Sequence, residues 1–450
     1  MFDTIAAIST AISTSAISII RVSGPKAIEI VNKTTKIKIT KQKTHTIKYN
    51  HIVENKKTID EVLITIMKAP KTFTKEDIVE INCHGGIATT NKVLELILTK
   101  GARIAEPGEF TKRAFLNNRI DLIEAESIMQ IISAKTEKSR QLAMNGIKGK
   151  ISIQIKELRK KLLEIITNIE VNIDYPEYED ILQITNNMIK KETEVLKKNL
   201  TKILKESENG MIIKDGINIL ILGKPNVGKS SILNNLIEQE KAIVTDIKGT
   251  TRDIVEGSIN LDGIMLNFMD TAGIRNTKNK IETIGVTKSI EKIKEADLII
   301  VVLNNNEKIN NDDKKILELT KTKKRIIFIN KTDLESKLET NTLNKDETVQ
   351  GNTIKKEGLN NLKEKIKELF NLKKLETEDL NYLSNSRQIS LIKKSLENVT
   401  EIEKSIKNNY PIDIIEINIK EIYNLLGEII GENYNNDIIN NIFENFCLGK

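Results

Sequence analysis

The hydrophobic pattern of residues 1–117 predicts short strands mixed with a few helices. Apolar runs typical of buried strands occur at Ile17–Val22, Val62–Met67 and Ile78–Cys83. Helical spacing covers Pro25–Thr35 and Ile87–Lys100, and Gly101 closes the second helix. The segment RIAEPGEFTKRAF, residues 103–115, turns at Pro107-Gly108 and leads into another helix. The pattern therefore predicts an α/β or α+β unit.

Residues 118–210 change to long amphipathic helices. Apolar residues recur at steps of three and four at Ile151, Ile155, Leu158, Leu162, Ile165 and Ile169. Pro176 should end this helix, and a second one with Met188, Val195, Leu200 and Ile203 should run to Gly210. The same spacing returns near the end of the chain, at Ile392, Leu396, Val399, Ile402 and Ile406 and then at Ile415, Ile419, Ile422 and Leu426. One helical domain interrupted by an insertion explains both blocks.

The insertion, residues 211–373, alternates strands and helices. Its predicted strands are Ile217–Leu222, Ile254–Ile259, Ile264–Met269, Leu298–Leu303 and Arg325–Ile329. Asp262-Gly263 signals a hairpin, and continuous apolar runs favour a sheet covered on both faces. Residues 334–346 are polar and predict a surface loop. The predicted domains are thus 1–117, 118–210, 211–373 and 374–450, of which the second and fourth form one helical domain.

Composition narrows the class of protein. The 450 residues are 30% charged and 39% hydrophobic, with a net charge of +7, as in a soluble globular chain. Two cysteines, Cys83 and Cys447, exclude a disulfide framework and favour a reduced, cytoplasmic compartment. Residues 4–20 are a poor signal peptide and are too short to span a membrane.

The stretch INILILGKPNVGKSS, residues 217–231, predicts a phosphate-binding loop. A strand is followed by Gly-x-x-x-x-Gly-Lys-Ser at residues 223–230 and then by a helix. Backbone N–H groups and the helix N-terminus would hold phosphates, and Lys229 would reach the β- and γ-phosphates. The hydroxyl of Ser230 can bind Mg²⁺.

Three further motifs follow in the order expected of a GTPase. Asp270-Thr271-Ala272-Gly273 ends a strand, where the aspartate can hold Mg²⁺ through water and the glycine N–H can sense a γ-phosphate. Asn330-Lys331-Thr332-Asp333 ends another, and Asp333 can accept two hydrogen bonds from guanine that adenine cannot offer. GTTRD, residues 249–253, is the candidate switch segment, with Thr251 as a second Mg²⁺ ligand. Together these motifs predict GTP binding.

Two positions depart from the usual pattern. Ile274 stands where Ras-like enzymes place the glutamine that orients water. Glu282 is a candidate to replace it, although from its position alone it is equally consistent with a solvated helix residue. The guanine-contact loop, typically Ser-Ala-Lys, is represented by Asn352-Thr353-Ile354-Lys355.

The chain resembles the MnmE (TrmE) family of bacterial tRNA-modification GTPases over nearly its whole length. The resemblance rests on six segments: IVEINCHGG (78–86), PGEFTKRAFLNNRIDL (107–122), residues 223–231, TDIKGTTRD (245–253), DTAGIR (270–275) and the ending FCLGK (446–450). It implies an α/β chain with an N-terminal α+β folate-binding and dimerisation domain, a central helical domain and an inserted Ras-like P-loop GTPase domain.

The resemblance also implies ligands for each site. GTP contacts are expected at Asn226, Val227, Gly228, Lys229, Ser230, Ser231, Thr245, Asp246, Ile247, Lys248, Gly249, Thr250, Thr251, Asp270, Thr271, Ala272, Gly273, Asn330, Lys331 and Asp333. K⁺ would bind Asn226, Thr245, Ile247 and Thr250, and Glu282 matches the family's catalytic glutamate. Folate would contact Arg21, Glu80 and Arg119, with Lys450 near the pocket. Arg119 stands where the family often has lysine, and residues 9–16 lack glycines common there.

The chemistry implied is K⁺-activated GTP hydrolysis coupled to tRNA modification. Family members act as homodimers with the flavoprotein MnmG, which carries FAD, in a heterotetramer that does not involve a membrane. They install a carboxymethylaminomethyl-type group on C5 of the wobble uridine, with 5-formyl- or methylene-tetrahydrofolate as the one-carbon source.

Other interpretations remain open from sequence. One is an Era-type GTP-controlled switch that binds RNA or the ribosome, and another is a helical scaffold whose G domain only controls dimerisation. The Era-type switch leaves residues 1–117 and the FCLGK tail unexplained. Cys447 is more often structural than catalytic in such a setting, and His84 is equally consistent with core packing and with ligand contact.

Overall fold

A computed structural model describes residues 3–174, 186–239, 255–269, 291–339, 343–373, 375, 380–433, 436–444, 446, 447 and 449. The chain divides into two compact units. The first comprises Met1–Ile132, Gly146–Lys198 and Leu391–Lys450, and the second comprises Ser133–Asn145 and Asn199–Ser390.

The first unit contains a six-stranded sheet. Its strands are β1 (Ile5–Ile8), β2 (Ile17–Ser23), β3 (Thr46–Glu54), β4 (Lys57–Met67), β5 (Ile78–His84) and β6 (Arg103–Ile104), in the order β3-β4-β5-β2-β1-β6. Neighbours are antiparallel except β1 and β6. Helices α1 (Ala27–Asn32) and α2 (Ile87–Thr99) pack on one face and bury Ile20, Ile64, Ile81 and Val93. The other face carries Arg21 and Glu80.

The predicted strands of residues 1–117 are confirmed, but three strands were missed. Strand β1 is only four residues long and β6 only two. Strand β3 is longer, but its apolar residues do not alternate with its polar ones in step with burial. In β3 the apolar Ile47 and Tyr49 are exposed, whereas Asn50 is fully buried. The Asn50 side-chain oxygen accepts from the Ile37 N–H at 2.9 Å, and its amide nitrogen donates to the Ile37 carbonyl at 2.7 Å.

Long helices follow in the order predicted. They are α3 (Glu109–Leu116), α4 (Leu122–Ser133), α5 (Glu137–Ile147), α6 (Lys150–Asp174), α7 (Asn186–Asp215), and, after the insertion, α11 (Ser386–Lys407), α12 (Ile412–Ile430) and α13 (Asn436–Glu444). Helix α6 packs against α12, where buried Arg159 donates to the Tyr423 carbonyl at 3.1 Å and pairs with Glu432.

The prediction for α7 is wrong in two respects. Its inward face carries Ile189, Leu196, Leu200 and Ile203, whereas Met188 and Val195 are exposed. The helix also continues past Gly210 to Asp215. Gly210 does not end it, because this glycine instead allows close approach of the Leu383 carbonyl, which would lie 2.5 Å from an added Cβ.

The second unit contains a sheet in the order β12-β11-β10-β7-β9-β8. Its strands are β7 (Ile217–Leu222), β8 (Val255–Leu261), β9 (Ile264–Met269), β10 (Leu298–Asn304), β11 (Arg325–Asn330) and β12 (Thr348–Gln350), and its helices include α8 (Lys229–Gln239), α9 (Asn311–Leu319) and α10 (Leu359–Leu369). All pairs are parallel except the β8–β9 hairpin, which turns at Asp262-Gly263 as predicted. Apolar clusters cover both faces of the sheet.

Parallel strands of this kind place ligands at their carboxyl ends. Strands β7 and β11 lie on either side of β10, so the loops after Leu222 and Asn330 leave the sheet side by side at its carboxyl end. The predicted surface loop, residues 334–346, is only partly exposed, because Leu338 and Leu343 are buried. Among the described helices, none is long and apolar enough to span a membrane.

Candidate functional site

The phosphate-loop segment forms a tight turn between β7 and α8. Gly223 has φ +151° and Gly228 has φ +104°, conformations that side chains with a Cβ rarely adopt. A Cβ on Gly223 would lie 2.5 Å from the Val302 carbonyl, and one on Gly228 would collide with the Asn330 amide nitrogen. Both glycines of the motif are therefore required by the geometry.

Lys229 lies at the start of α8 and folds back over the loop. Its ammonium donates to the carbonyl oxygens of Gly223 at 2.7 Å and Lys224 at 2.6 Å. A bound phosphate would offer this ammonium group oxygen atoms that carry more negative charge than the two carbonyl oxygens do. Ser230 and Ser231 are exposed on the first turn of α8, where a hydroxyl can serve as a Mg²⁺ ligand.

Asn330 connects the phosphate loop to the predicted base-contact loop. Its side chain is 1% exposed and donates to the Val227 carbonyl at 2.8 Å and to the Thr353 hydroxyl at 3.2 Å. Its amide oxygen accepts from the Thr353 N–H at 3.1 Å. All its hydrogen bonds therefore go to protein groups, and Asn330 acts by fixing two loops relative to each other.

Two other residues of this motif, Lys331 and Asp333, face outwards. Lys331 has φ +62° and donates from its ammonium to the Asn226 carbonyl at 3.0 Å. Asp333 is exposed, so its carboxylate is accessible to a purine edge. The side chain of Asn226 is also exposed at the tip of the phosphate loop.

The altered loop Asn352–Lys355 still forms an ordered turn. The Asn352 side chain accepts from the N–H groups of Ile354 at 2.9 Å and Lys355 at 3.3 Å. Asn235 of α8 donates to the Thr353 carbonyl at 2.7 Å. The loop therefore lies beside the phosphate loop despite its unusual sequence.

Sequence reasoning missed the support of the phosphate loop by Lys224. Its ammonium lies 2.9 Å from Asp313 and 3.1 Å from Glu307. Burial disfavours the charged lysine, but the hydrogen bonds to both carboxylates outweigh this and raise the pKa of Lys224. The sequence carries no signal for these contacts, because both carboxylates lie more than 80 residues from Lys224 along the chain.

Several predicted site residues lie outside the described residues. They are Thr245, Asp246, Ile247, Lys248, Gly249, Thr250, Thr251, Asp270, Thr271, Ala272, Gly273, Ile274, Glu282 and Lys450. Pro176, predicted to end α6, also lies outside them. Their assignments stay predictions. Within the described ranges, no cluster of three or more His, Cys, Asp or Glu side chains could hold a metal.

The predicted folate residues Arg21 and Glu80 are cross-strand neighbours on β2 and β5. The guanidinium contacts one carboxylate oxygen of Glu80 through Nε at 2.9 Å and Nη2 at 2.8 Å. The Arg21 guanidinium also lies 5.7 Å from the Phe110 ring centroid. The pair is about one-fifth exposed, so it forms a partly open, ion-paired patch on the sheet face opposite α1 and α2.

The C-terminal tail reaches this patch. The Gly449 carbonyl accepts from the Ser9 hydroxyl at 3.1 Å and from Arg21 Nη1 at 3.4 Å. Gly108, with φ +66°, donates to the Cys447 carbonyl at 3.3 Å, and Phe446 packs on Phe443 at 4.9 Å between ring centroids. The tail is therefore anchored to the first unit through several contacts.

Arg119 lies elsewhere on the first unit. It donates to the Thr72 carbonyl at 2.5 Å, and its guanidinium lies 5.3 Å from the Phe73 ring centroid. No hydrogen bond or ion pair joins it to Arg21 or Glu80 among the residues that the structure describes. The geometry thus brings two of the three described folate candidates together.

The remaining singled-out residues are Cys83, Cys447 and His84. Cys83 is buried, and this desolvation raises the pKa of its thiol, whereas Cys447 is exposed. The His84 side chain is 71% exposed and its Nδ1 lies 2.6 Å from Asp60. Core packing of His84 is therefore wrong, because its side chain is largely exposed.

Comparison with known proteins covers almost the whole chain. Two family models match: "GTP-binding protein TrmE N-terminus" over residues 4–119 and "MnmE helical domain" over residues 122–447. Proteins named tRNA modification GTPase MnmE are similar along the full length of both chains, with 47% identity in Bacillus licheniformis and 45% in Bacillus subtilis. A solved G domain of the FeoB iron transporter of T. maritima is 28% identical over 34% of this chain and 97% of that chain, at TM-score 0.26.

Proposed function

Because the chain belongs to the MnmE family of tRNA modification GTPases, we propose that it hydrolyses GTP to drive modification of the wobble uridine of certain tRNAs. The observation that carries this is full-length similarity combined with a complete phosphate loop and a buried Asn330 that fixes it. The protein is a GTP hydrolase acting in tRNA modification. Its compartment is the cytoplasm.

GTP binding would use both the described loop and residues outside the described ranges. Lys229 and the backbone N–H groups of the loop would bind the phosphates. Ser230, together with Thr251 from outside the described residues, would supply hydroxyls for Mg²⁺. Asp333 selects guanine by accepting two hydrogen bonds. Mg²⁺ supplies charge neutralisation at the phosphates when bound.

Potassium activation would take the place of an arginine finger. The side chain of Asn226, exposed at the tip of the phosphate loop, would supply one oxygen ligand, and Thr245, Ile247 and Thr250 would supply the others. Glu282 orients the attacking water that Ile274 cannot bind. Replacing K⁺ with Na⁺ should collapse GTP turnover and leave GDP affinity unchanged. Equal turnover in both salts would refute the K⁺ site.

Folate binding would use the patch formed by Arg21 and Glu80. Glu80 keeps one carboxylate oxygen outside the Arg21 pair, and that oxygen can accept from the pterin donors. The anchored tail brings Gly449 to the same patch, and Lys450 follows Gly449 in the sequence. The one-carbon unit of tetrahydrofolate would be transferred at this patch to C5 of uridine. The reaction would also need a flavoprotein of the MnmG type that carries FAD. The two proteins would form an assembly built on a homodimer of this chain.

A folate-binding measurement separates this function from an RNA-binding switch. Tetrahydrofolate should bind the full chain, and Glu80→Gln should weaken it more than tenfold. Glu95→Gln, an exposed glutamate on α2 of the same unit, is the matched control and should bind normally. Absence of folate binding by the wild-type chain would favour the switch.

A further inference from the structure

Charge is distributed unevenly along helix α6. Residues 148–161, KGKISIQIKELRKK, hold six basic side chains and one acidic, a net charge of +5. The rest of the helix, residues 164–174, holds three acidic side chains and no basic one. Over the whole chain the net charge is only +7, so this one stretch concentrates much of the excess.

Four exposed lysines of this stretch share one side of α6, and we call them the basic face: Lys150, Lys156, Lys160 and Lys161. At 100° per residue they lie within an arc of about 140°, opposite the buried stripe, and they extend over about 16 Å of helix. Arg159 does not belong to the face, because it is buried against Tyr423 and Glu432.

Most of these lysines make no ion pair with another described residue. Lys156 lies 3.2 Å from Asp121, but in the described part of the chain Lys150, Lys160 and Lys161 make no ion pair. Elsewhere in the same unit, lysines of α7 and α11 alternate with glutamates and several pair with them, as Lys197 does with Glu403. Unpaired like charges on one helix face repel each other, so they favour an anionic partner.

The basic face continues towards Arg119. Lys156 contacts Asp121, and Lys75 donates to the Asn118 carbonyl at 2.9 Å, so cations bracket the loop that carries Arg119. Burial raises the pKa of Glu124, yet Lys156 and Arg119 both lie close enough to oppose that rise. Arg119 itself is exposed and stacks over Phe73.

The occupant is identified by its chemistry. The apolar stripe of α6 is buried in the unit, so the helix cannot insert it into a membrane. An exposed guanidinium over an aromatic ring is a surface on which unpaired nucleic-acid bases stack. A row of lysines ending at such a surface fits a phosphate backbone that leads to a loop of unpaired bases.

We propose that the basic face of α6, with Arg119 and Phe73 at its end, binds the phosphate backbone of the substrate tRNA. This proposal rests on the proposed function, which makes a tRNA the substrate. The lysines position the backbone without reading sequence, and Arg119 receives an unpaired base. Each lysine that neutralises one phosphate adds about 0.7–0.9 to the slope of log affinity against log salt concentration.

The test measures binding of an unmodified tRNA transcript to the full chain at several salt concentrations. The test variant combines Lys150→Gln, Lys160→Gln and Lys161→Gln on the basic face. The matched control also replaces three exposed lysines, but on α7 and α11: Lys191→Gln, Lys198→Gln and Lys394→Gln. The triple variant should lower the salt slope by about 2–3 and weaken binding about 10- to 100-fold near 0.1 M salt. The control should bind like wild type. GTP hydrolysis without tRNA should be unchanged in both, which shows that both variants fold.

An unchanged slope in the triple variant, or an equal loss in the control, would overturn the proposal. So would a triple variant that keeps its tRNA affinity and instead loses binding to the flavoprotein partner. Failure of the wild-type chain to bind any tRNA is a different result, because it would contradict the proposed function itself.

Discussion

Replacement of Asn330 by alanine should weaken both the second unit and its nucleotide site. The substitution removes three hydrogen bonds and leaves the Val227 carbonyl and the Thr353 N–H buried without this partner. At about 1–3 kcal/mol for each of these two buried groups left unpaired, the loss of unfolding free energy is about 2–6 kcal/mol. For a unit of this size that corresponds to a fall in Tm of about 5–15 °C. Nucleotide affinity should fall at least about tenfold, because the phosphate loop loses its link to β11.

The matched control is Asn305→Ala. Asn305 is also buried, donates to the Leu334 carbonyl at 3.0 Å and accepts from the Ser336 hydroxyl at 3.1 Å, but its side chain does not contact the phosphate loop. Thermal melts with and without GDP, and a titration with a fluorescent GDP analogue, separate the two effects. Both variants should melt earlier, and only Asn330→Ala should lose affinity. Wild-type GDP affinity in Asn330→Ala, or an equal loss in Asn305→Ala, would refute the linking role.

Three further predictions concern single residues. Glu282→Ala should bind GTP normally but turn it over slowly, because only a transition-state interaction is lost, and a wild-type kcat would contradict its role. Asp333→Asn should weaken GTP and admit xanthosine nucleotides, whose C2 oxygen accepts from the amide; unchanged GTP affinity would refute the assignment. The hydrogen bond to Asp60 raises the pKa of His84, so NMR should show its imidazole titrating above the usual value of about 6.5. The stability that this pair adds is present at lower pH and is lost as pH rises through the pKa of folded His84, and Asp60→Asn should abolish both effects.

Periodicity predicted the longer strands and helices whose buried faces are apolar. It failed for the short strands β1 and β6 and where buried positions are polar. Strand β3 was missed because Asn50 occupies the inward position, where it bonds the backbone of Ile37. In α7 the predicted Leu200 and Ile203 are buried, but Met188 and Val195 are exposed. The polar Thr193 and Ser207 are buried instead, and their hydroxyls donate to carbonyls four residues earlier. The pattern of apolar and polar residues along the chain does not show that a buried polar side chain is hydrogen-bonded to the backbone.

Motifs located the chemistry of the second unit but not the contacts that organise it. Glycine spacing identified the loop at residues 223–230, and the structure shows why both glycines are needed. The sequence contained no signal that Asn330 bonds Val227 or that Lys224 bonds Asp313, because these partners are about 90 to 100 residues apart. The meeting of Gly449 with Ser9 and Arg21 is likewise a product of tertiary folding.

The central claim is that this chain modifies the wobble uridine of tRNA through a site to which its anchored tail contributes. The most direct test is mass-spectrometric nucleoside analysis of tRNA from a strain that lacks the chain, complemented either with the full-length chain or with one lacking Cys447–Lys450. We predict that the C5-modified wobble uridine disappears in the deletion strain and returns only with the full-length chain, while the truncated chain still hydrolyses GTP. An unchanged modified nucleoside in the deletion strain would contradict the account, and full restoration by the truncated chain would contradict the role of the tail.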